Sequence, residues 1–475
     1  MTVTLAGVAT LENDAPCDVV IDGDVIAAIR PASARAQKRR LAMPALVNAH
    51  DHARPLSPTS FGAAGKPLET WLLRLAAMPG VDPYRGALAA FGRAARGGAG
   101  SVMAHLTRFS GLMPPVEEAR LIAQAAGEVG IRLTLAIFMR DRNPVVYGDE
   151  RGVLTSLPDE ARATIEKTFL APRPAAAAQV ALVEEIARAV EGPMLSVQFG
   201  PNGPGWCGDG LLARIADASR ATGRRVHTHL LETQAQRAFA DKAYPEGVLG
   251  RLDALGLLAE RVTFAHCVHA RDDELAAIAD AGAVIATNAS SNLHLRSGIA
   301  PIASALKNGC RVAIGIDASA LDEDDDALRE LRLGHFLHGG WSFGENVSRE
   351  AWLSGAVANG RFANGAPGDG ALRVGAPADI LLLDLDRLDR DAIMPVAPID
   401  YLFARATAAH ISSLIVAGKE IVREGAVTGV DLPAVEAELR ENYRAKMGDR
   451  AAFIGAWSAL EPAVVSFYRE RLGCC

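Results

Sequence analysis

Along the middle of the chain an amphipathic stretch, a glycine and a run apolar on both faces recur in that order. VEEARLIAQAAGEVG leads into IRLTLAIF, and residues 179–192 lead into MLSVQFG. GLLARIADASRATG precedes RRVHTHLL, and EGVLGRLDALGLL precedes RVTFAHCVH. DDELAAIADAG precedes AVIATN, and APIASALKNG precedes RVAIGID. Apolar residues three and four positions apart predict helices, the glycine fits a left-handed cap, and the short apolar runs predict buried parallel strands. Two earlier runs, at residues 46–50 and 101–106, bring the strands to eight. That is the number in a (β/α)8 barrel, and no GxGxxG turn speaks for an open dinucleotide-binding sheet instead.

The ends follow another rhythm. Residues 1–44 and 366–430 hold short strands with glycine turns, such as CDVVIDGDVIAAIRP and SSLIVAGKEIVREGAV. Hairpin spacing predicts β-structure in both, and the simplest assembly is one small β-sandwich made by the two ends, outside a barrel of residues 45–365. Residues 431–475 begin LPAVEAELRENYRAKM, whose period predicts a helical tail.

Composition narrows the partners. A chain of 475 residues with 49% hydrophobic and 22% charged residues buries a large core, and a net charge of -7 offers no basic excess for a polyanion. No uninterrupted apolar run approaches the ~20 residues of a membrane span, and the first residues lack the pattern of an export signal. Cys17, Cys207, Cys267, Cys310, Cys474 and Cys475 lack CxxC spacing, which favours reduced thiols in a cytoplasm.

A barrel does its chemistry at the carboxyl ends of its strands. There the first predicted strand ends NAHDH (His50, His52), the fifth HTHLLET (His227, His229, Glu232), the sixth AHCVH (His266), and the eighth GID (Asp317). One histidine alone is an interior residue more often than a ligand, and Asp317 alone would serve as a helix cap. Together, His50, His52, His229 and Asp317 make a nitrogen and oxygen set for one divalent cation, zinc or iron(II). Such a cation would lower the pKa of a bound water to ~7. Glu232 lies on the substrate side, where a carboxyl group moves protons. His227 reads as an interior or supporting residue, and His105 and His269 as weaker mouth candidates. His294, His335, His338 and His410 read as structural or surface residues. The tryptophans read as packing, except Trp206, which follows a strand end. The acidic run 322–326 reads as a solvated loop or helix start, with a substrate role left open.

The motifs resemble the amidohydrolase superfamily, in its branch of cytosine-deaminase-like and chlorohydrolase-like aminohydrolases. MPALVNAHDH, HTHLLET, AHCVH, SSNLHLRSGIAPI, GID and VGAPADILLLD stand in that family's order. The resemblance implies that His50, His52, His229 and Asp317 hold metal, that Asp317 also takes a proton from the attacking water, that His266 orients it, and that Glu232 shuttles a proton to a ring nitrogen. It implies a homo-oligomer acting on a small heterocycle: deamination of a pterin, purine, pyrimidine or triazine, with cyclic-amide hydrolysis or dechlorination as the alternative and a non-catalytic binding paralogue ranked below. The nucleic-acid deaminase signature H-x-E…P-C-x-x-C is missing. MLSVQFG lacks the lysine or glutamate of binuclear relatives, which implies one metal. Asp51, Asn202 and ASALDEDDD depart from the family pattern and bear on substrate choice, as does Trp206; Arg54 and Arg140 suit an anionic substrate group or, equally, internal ion pairs.

Overall fold

A computed structural model describes residues 2–11, 15–33, 38–317 and 321–471. Cys474, Cys475 and residues 318–320 of the acidic segment therefore lie outside the described residues, and Cys17, Cys207, Cys267 and Cys310 are free thiols.

The N-terminal strands are β1 (Thr2–Thr10), β2 (Cys17–Asp22), β3 (Val25–Pro31) and β4 (Arg40–Pro44). The barrel strands follow as β5 (Leu46–Asp51), β6 (Ala99–His105), β7 (Arg132–Met139), β8 (Leu195–Pro201), β9 (Val226–Leu230), β10 (Val262–His266), β11 (Val284–Thr287) and β12 (Arg311–Ile314). All eight pair in sequence order, each parallel to the next. Helices including Pro115–Val129 and Asp209–Thr222 run between them, and Gly130 (φ 87°) and Gly223 (φ 73°) close these two in the left-handed region. Gly192 departs from that expectation: its helix stops at Val190, and Gly192 pairs with Leu195 as the chain enters β8.

The last strand returns to the first through two backbone bonds. The amides of Ile316 and Asp317 donate to the carbonyl of His50 at 3.1 and 2.8 Å, and the Asn48 side chain accepts from Ile316 N at 2.9 Å. Gly315 makes this approach possible, since a Cβ there would stand 2.8 Å from the His50 Cβ and collide with the Asn288 side-chain oxygen.

The two ends of the chain join as the hairpin spacing predicts. Strands β13 (Ile380–Asp384), β14 (Ile411–Val416), β15 (Lys419–Arg423) and β16 (Ala426–Val427) form one sheet with the N-terminal strands, in the order β16-β15-β14-β13-β4-β1-β2-β3. The two halves enclose their own core, which includes Val19, Ile21 and Ile26 on one side and Ile380, Leu382 and Ile415 on the other. Asp379 ties this sheet to the barrel. It takes Arg132 of β7 at 2.8 and 3.1 Å and Arg361 at 2.8 Å, and although burial pushes its carboxyl up, the Arg132 bond and charge hold it below the usual range. The short helix Gly360–Asn364 plugs the barrel floor, its carbonyls and Asn364 meeting Thr134, Gln198 and Ser101.

The tail forms helices Leu432–Lys446 and Ala451–Arg471. Within Leu432–Glu470 lies a stretch long and apolar enough, by composition, to cross a membrane, although no uninterrupted apolar run announces it. Trp457, Leu460, Val464 and Phe467 instead pack against Leu73, Val146, Tyr147 and Ile165 beside the barrel mouth.

Gly315→Ala is expected to cost about 1–3 kcal/mol through overpacking at the seam. A urea melt reads that loss, and an unchanged midpoint would show that the closure tolerates a side chain.

Candidate metal centre and cavity

The strand-end residues singled out from the sequence meet at one point. His52 Nε2 lies 3.1 Å and His50 Nε2 3.7 Å from Asp317 Oδ1, and His229 Nε2 lies 3.5 Å from His52 Nε2. His266 Nε2 stands 3.8 Å from Asp317 Oδ2 and 3.6 Å from Glu232 Oε2. Two sets, His50 with His52 and Asp317 and His50 with His229 and His266, each bring their donor atoms within 4.8 Å of one another. His266, assigned a catalytic role by the resemblance, thus shares the same focus as the ligand set.

A layer of partners orients these rings. His52 Nδ1 donates to the His105 carbonyl and His229 Nδ1 to the Asn202 carbonyl, both at 2.7 Å. A carbonyl can only accept, so each ring carries its proton on Nδ1 and turns the Nε2 lone pair inward. His50 Nδ1 lies 2.8 Å from His227 Nε2, which gives His227 its supporting place. His266 Nδ1 donates to Asn292 Oδ1 at 2.9 Å, and Ser291 Oγ donates to Asp317 Oδ2 at 2.6 Å. Ser291 and Asn292 lie in the motif SSNLHLRSGIAPI, but the motif alone assigns them no role at the site.

Burial sets the charges. It pushes His50, His227 and His229 well below the ordinary histidine value, and the neighbouring imidazoles add to the effect. Burial likewise takes His105 down to about 3 and lowers His266. Burial would raise Asp317, but the neighbouring His52 and His266 and the Ser291 hydroxyl outweigh it and hold it below the usual carboxylate range. Burial, with the charges of Asp317 and Glu69, pushes Glu232 well above it. Burial thus disfavours charge on His50, His229 and His266 and on Glu232, while Asp317 keeps its charge. His50 Nε2 and His266 Nε2 are buried and have no hydrogen-bond partner, so a cation at the focus is the partner their chemistry fits.

Backbone strain gathers here too. Ala53, Leu231, His266, Cys267 and Asp317, all at or just past barrel strand ends, have φ between 47° and 75°. Each costs about 1–3 kcal/mol and is held by its surroundings.

The cluster floors a cavity of about 460 Å³ whose lining includes Arg54, Asn202, Trp206 and Arg140. Asn202 serves the cluster through its backbone carbonyl, and Trp206 sets its edge against Tyr147 and His229 at 5.2 and 6.4 Å. Trp71, read as packing, also lines it, as do Glu69, Tyr147 and Tyr468 of the tail, none of which the motifs reveal. The acidic run takes no part in the lining: Asp322, Asp324 and Asp326 pair with Arg329, Asp325 pairs with Arg93, and Asp326 caps helix Ala327–His338. His269 is bound to the Ser297 carbonyl, away from the focus.

The Amidohydrolase family model matches residues 41–421. A 5-methylthioadenosine/S-adenosylhomocysteine deaminase of Pyrococcus abyssi (strain GE5 / Orsay) is 28% identical over 432 residues, spanning 87% of this chain and 91% of its own. An adenosine deaminase from Xanthomonas campestris, solved with bound zinc, superposes with a TM-score of 0.74 at 23% identity, over 94% of this chain and 98% of that one. A mutant of atrazine chlorohydrolase from Arthrobacter aurescens TC1, complexed with zinc and atraton, gives a TM-score of 0.74 at 23% identity over 91% and 95%. At such identity the two structures show a shared fold.

Asn292→Leu is expected to cut kcat by about 10–100-fold through loss of the bond that aims His266. Kinetics alongside metal analysis check this, and wild-type kcat would mean that packing alone holds the ring.

Proposed function

The chain belongs to the amidohydrolase family, and from that premise we propose that it is a hydrolase that removes an amino group from a nitrogen heterocycle and releases ammonia. The observation that carries this reading is Glu232, a buried acid that burial pushes well above the usual carboxylate range, 3.6 Å from His266 Nε2 and beside a His and Asp cluster on a cavity floor. Purines with a substituted ribose are the first ring class to test, because the relative from Pyrococcus abyssi carries the name of a deaminase of such compounds.

In this reading His50, His52, His229 and Asp317 hold a single divalent cation, with zinc the best match to three imidazoles and a carboxylate. When bound, zinc supplies Lewis-acid activation of water near neutral pH. Asp317 Oδ2, steadied by Ser291, accepts the proton that the water loses as its oxygen bonds to the amino-bearing ring carbon. Glu232 gives its proton to the adjacent ring nitrogen, so the ring's electron pair settles there without a free charge. His266 stands between the two carboxyl groups and orients the water. The proton held on Asp317 then passes to the amino nitrogen, the carbon–nitrogen bond breaks, ammonia leaves, and the hydroxyl proton returns to Glu232 as the carbonyl forms. Trp206 and Trp71 offer apolar walls for a flat ring.

Ammonia release from adenosine, 5′-methylthioadenosine and aminotriazines, using metal-replete protein, tests the reaction. Asp317→Asn is expected to lose most turnover, since it removes both a ligand and the proton acceptor; near-normal rates in a metal-replete sample would sink the assignment. Glu232→Gln is expected to retain the metal while kcat falls by about 10²–10⁴-fold. Metal loss in that variant would show a ligand mistaken for a proton carrier. Silence across the panel with metal bound would refute deamination of these rings.

A further inference from the structure

The wall of the cavity carries an excess of positive charge that the reaction does not use. Arg54, Arg108, Arg140 and Arg173 all line it, in a chain whose net charge is -7. Among the described residues none of the four forms an ion pair, although arginines such as Arg132, Arg224, Arg237 and Arg329 each do. Arg108 Nη2 donates to the Met78 carbonyl at 2.7 Å and Arg140 Nη2 to the Asn143 carbonyl at 3.2 Å, so both keep their charge uncompensated.

Arg54 is the most exceptional of them. Its guanidinium lies over the Trp71 ring, 5.1 Å from the centroid, and its Nε and Nη2 are buried without a hydrogen-bond partner. Stacking satisfies the face of a guanidinium and leaves the edge unpaired. Elsewhere in this protein that same edge grips a carboxylate: Arg132 Nε and Nη2 hold Asp379 at 2.8 and 3.1 Å. Arg54 therefore has the fork without the anion.

Among the described residues no carboxylate forms an ion pair with Arg54, although Asp317 and Asp51 stand near enough for their charges to act on it. Asp317 belongs to the metal cluster. Asp51 has its carboxylate engaged by the Asn48 side chain and the Ala53 amide. Glu69 accepts from Thr233 and is raised by burial. A buried charge is kept only against a partner, and a cavity wall is where that partner arrives with a ligand. Arg54 follows β5 and Arg108 follows β6, adjacent strands, so their charges fall on one corner of the cavity.

We propose that the substrate is an anion: an amino-substituted heterocycle bearing a carboxylate or phosphate that pairs with Arg54, with Arg108 beside it and Arg140 and Arg173 adding to the attraction. The amino group and the metal cluster are those of the deaminase reading, on which this rests; the arginines decide which amino-heterocycle is taken.

Calorimetric titration of the metal-replete protein with malonate and with inorganic phosphate tests the site without reference to any ring. One of the two anions is expected to bind, and Arg54→Gln combined with Arg108→Gln is expected to weaken it by about tenfold to a hundredfold. Binding of neither anion overturns the proposal. So does binding that survives both substitutions, because it then belongs to the metal cluster. Ammonia release from S-adenosylhomocysteine, adenosine 5′-monophosphate and neutral 5′-methylthioadenosine forms the second arm. The anionic compound is expected to have the higher kcat/KM, with the ratio to the neutral one falling toward one in the double variant, and the preferred compound tells carboxylate from phosphate. Should the double variant fail to fold, Arg54→Lys keeps a cation over Trp71 but loses the fork, and the same fall in ratio is expected. Release without preference for an anion overturns the proposal and leaves the deaminase reading standing. Anion binding lost in the double variant, with no ammonia from any compound, supports the arginine site and refutes deamination of these purines.

Discussion

The seam between β12 and β5 is the constraint on which the site depends. Two amides, from Ile316 and Asp317, converge on the carbonyl of His50, and they do so because residue 315 has no side chain. Closure and site assembly are therefore one event. The backbone bond that completes the barrel also sets the Asp317 carboxylate beside the His50 and His52 rings. An open sheet of the same eight strands would leave its first and last strands at opposite edges, and the histidines and the aspartate would never meet. Positive φ at Asp317, and at Ala53, Leu231, His266 and Cys267, is the local cost of turning these side chains inward at the rim.

Once closed, the barrel uses burial to set charge. Water exclusion pushes His50 and His229 down, which favours free Nε2 lone pairs, while the same exclusion pushes Glu232 up and favours its protonated form. Asp317 goes the other way, with the Ser291 hydroxyl bonded to Oδ2 and His52 and His266 beside it. One physical effect thus produces a set of ligands, a proton acceptor and a proton donor within a few ångströms. The carbonyls of His105 and Asn202 and the amide of Asn292 decide which way each ring faces, and hence whether the donors point at a common centre.

The rest of the chain gives that centre walls and an anchorage. Asp379, held by Arg132 and Arg361, fixes the end sheet against the barrel just where β4 passes into β5. The tail contributes Tyr468 to the cavity and covers an apolar surface with Trp457, Leu460 and Val464. The cavity therefore draws its lining from segments hundreds of residues apart, and its arginines stand out because they are left without acidic partners.

Alternation and periodicity were enough to mark all eight barrel strands and to place His50, His52, His229, Glu232, His266 and Asp317 at strand ends, because strand pleat and helix period are local properties of the chain. The motif order carried the family. Supporting groups such as Ser291 and Asn292 were not legible, since a hydrogen bond between residues on neighbouring loops leaves no periodic trace. Arg54 and Arg140 were legible as charges with no stated partner, whereas Arg108, Arg173 and Trp71 gave no sign of facing the same cavity. The acidic run showed the opposite limit: its charge was plain in the sequence, but its ties to Arg329 and Arg93, which keep it out of the cavity, depend on where distant helices pack. The sequence by itself determined which groups exist and which face of which element bears them. Only the tertiary structure decided which charges neutralise one another and which are left to meet a ligand, because pairing depends on distances that closure of the barrel alone creates.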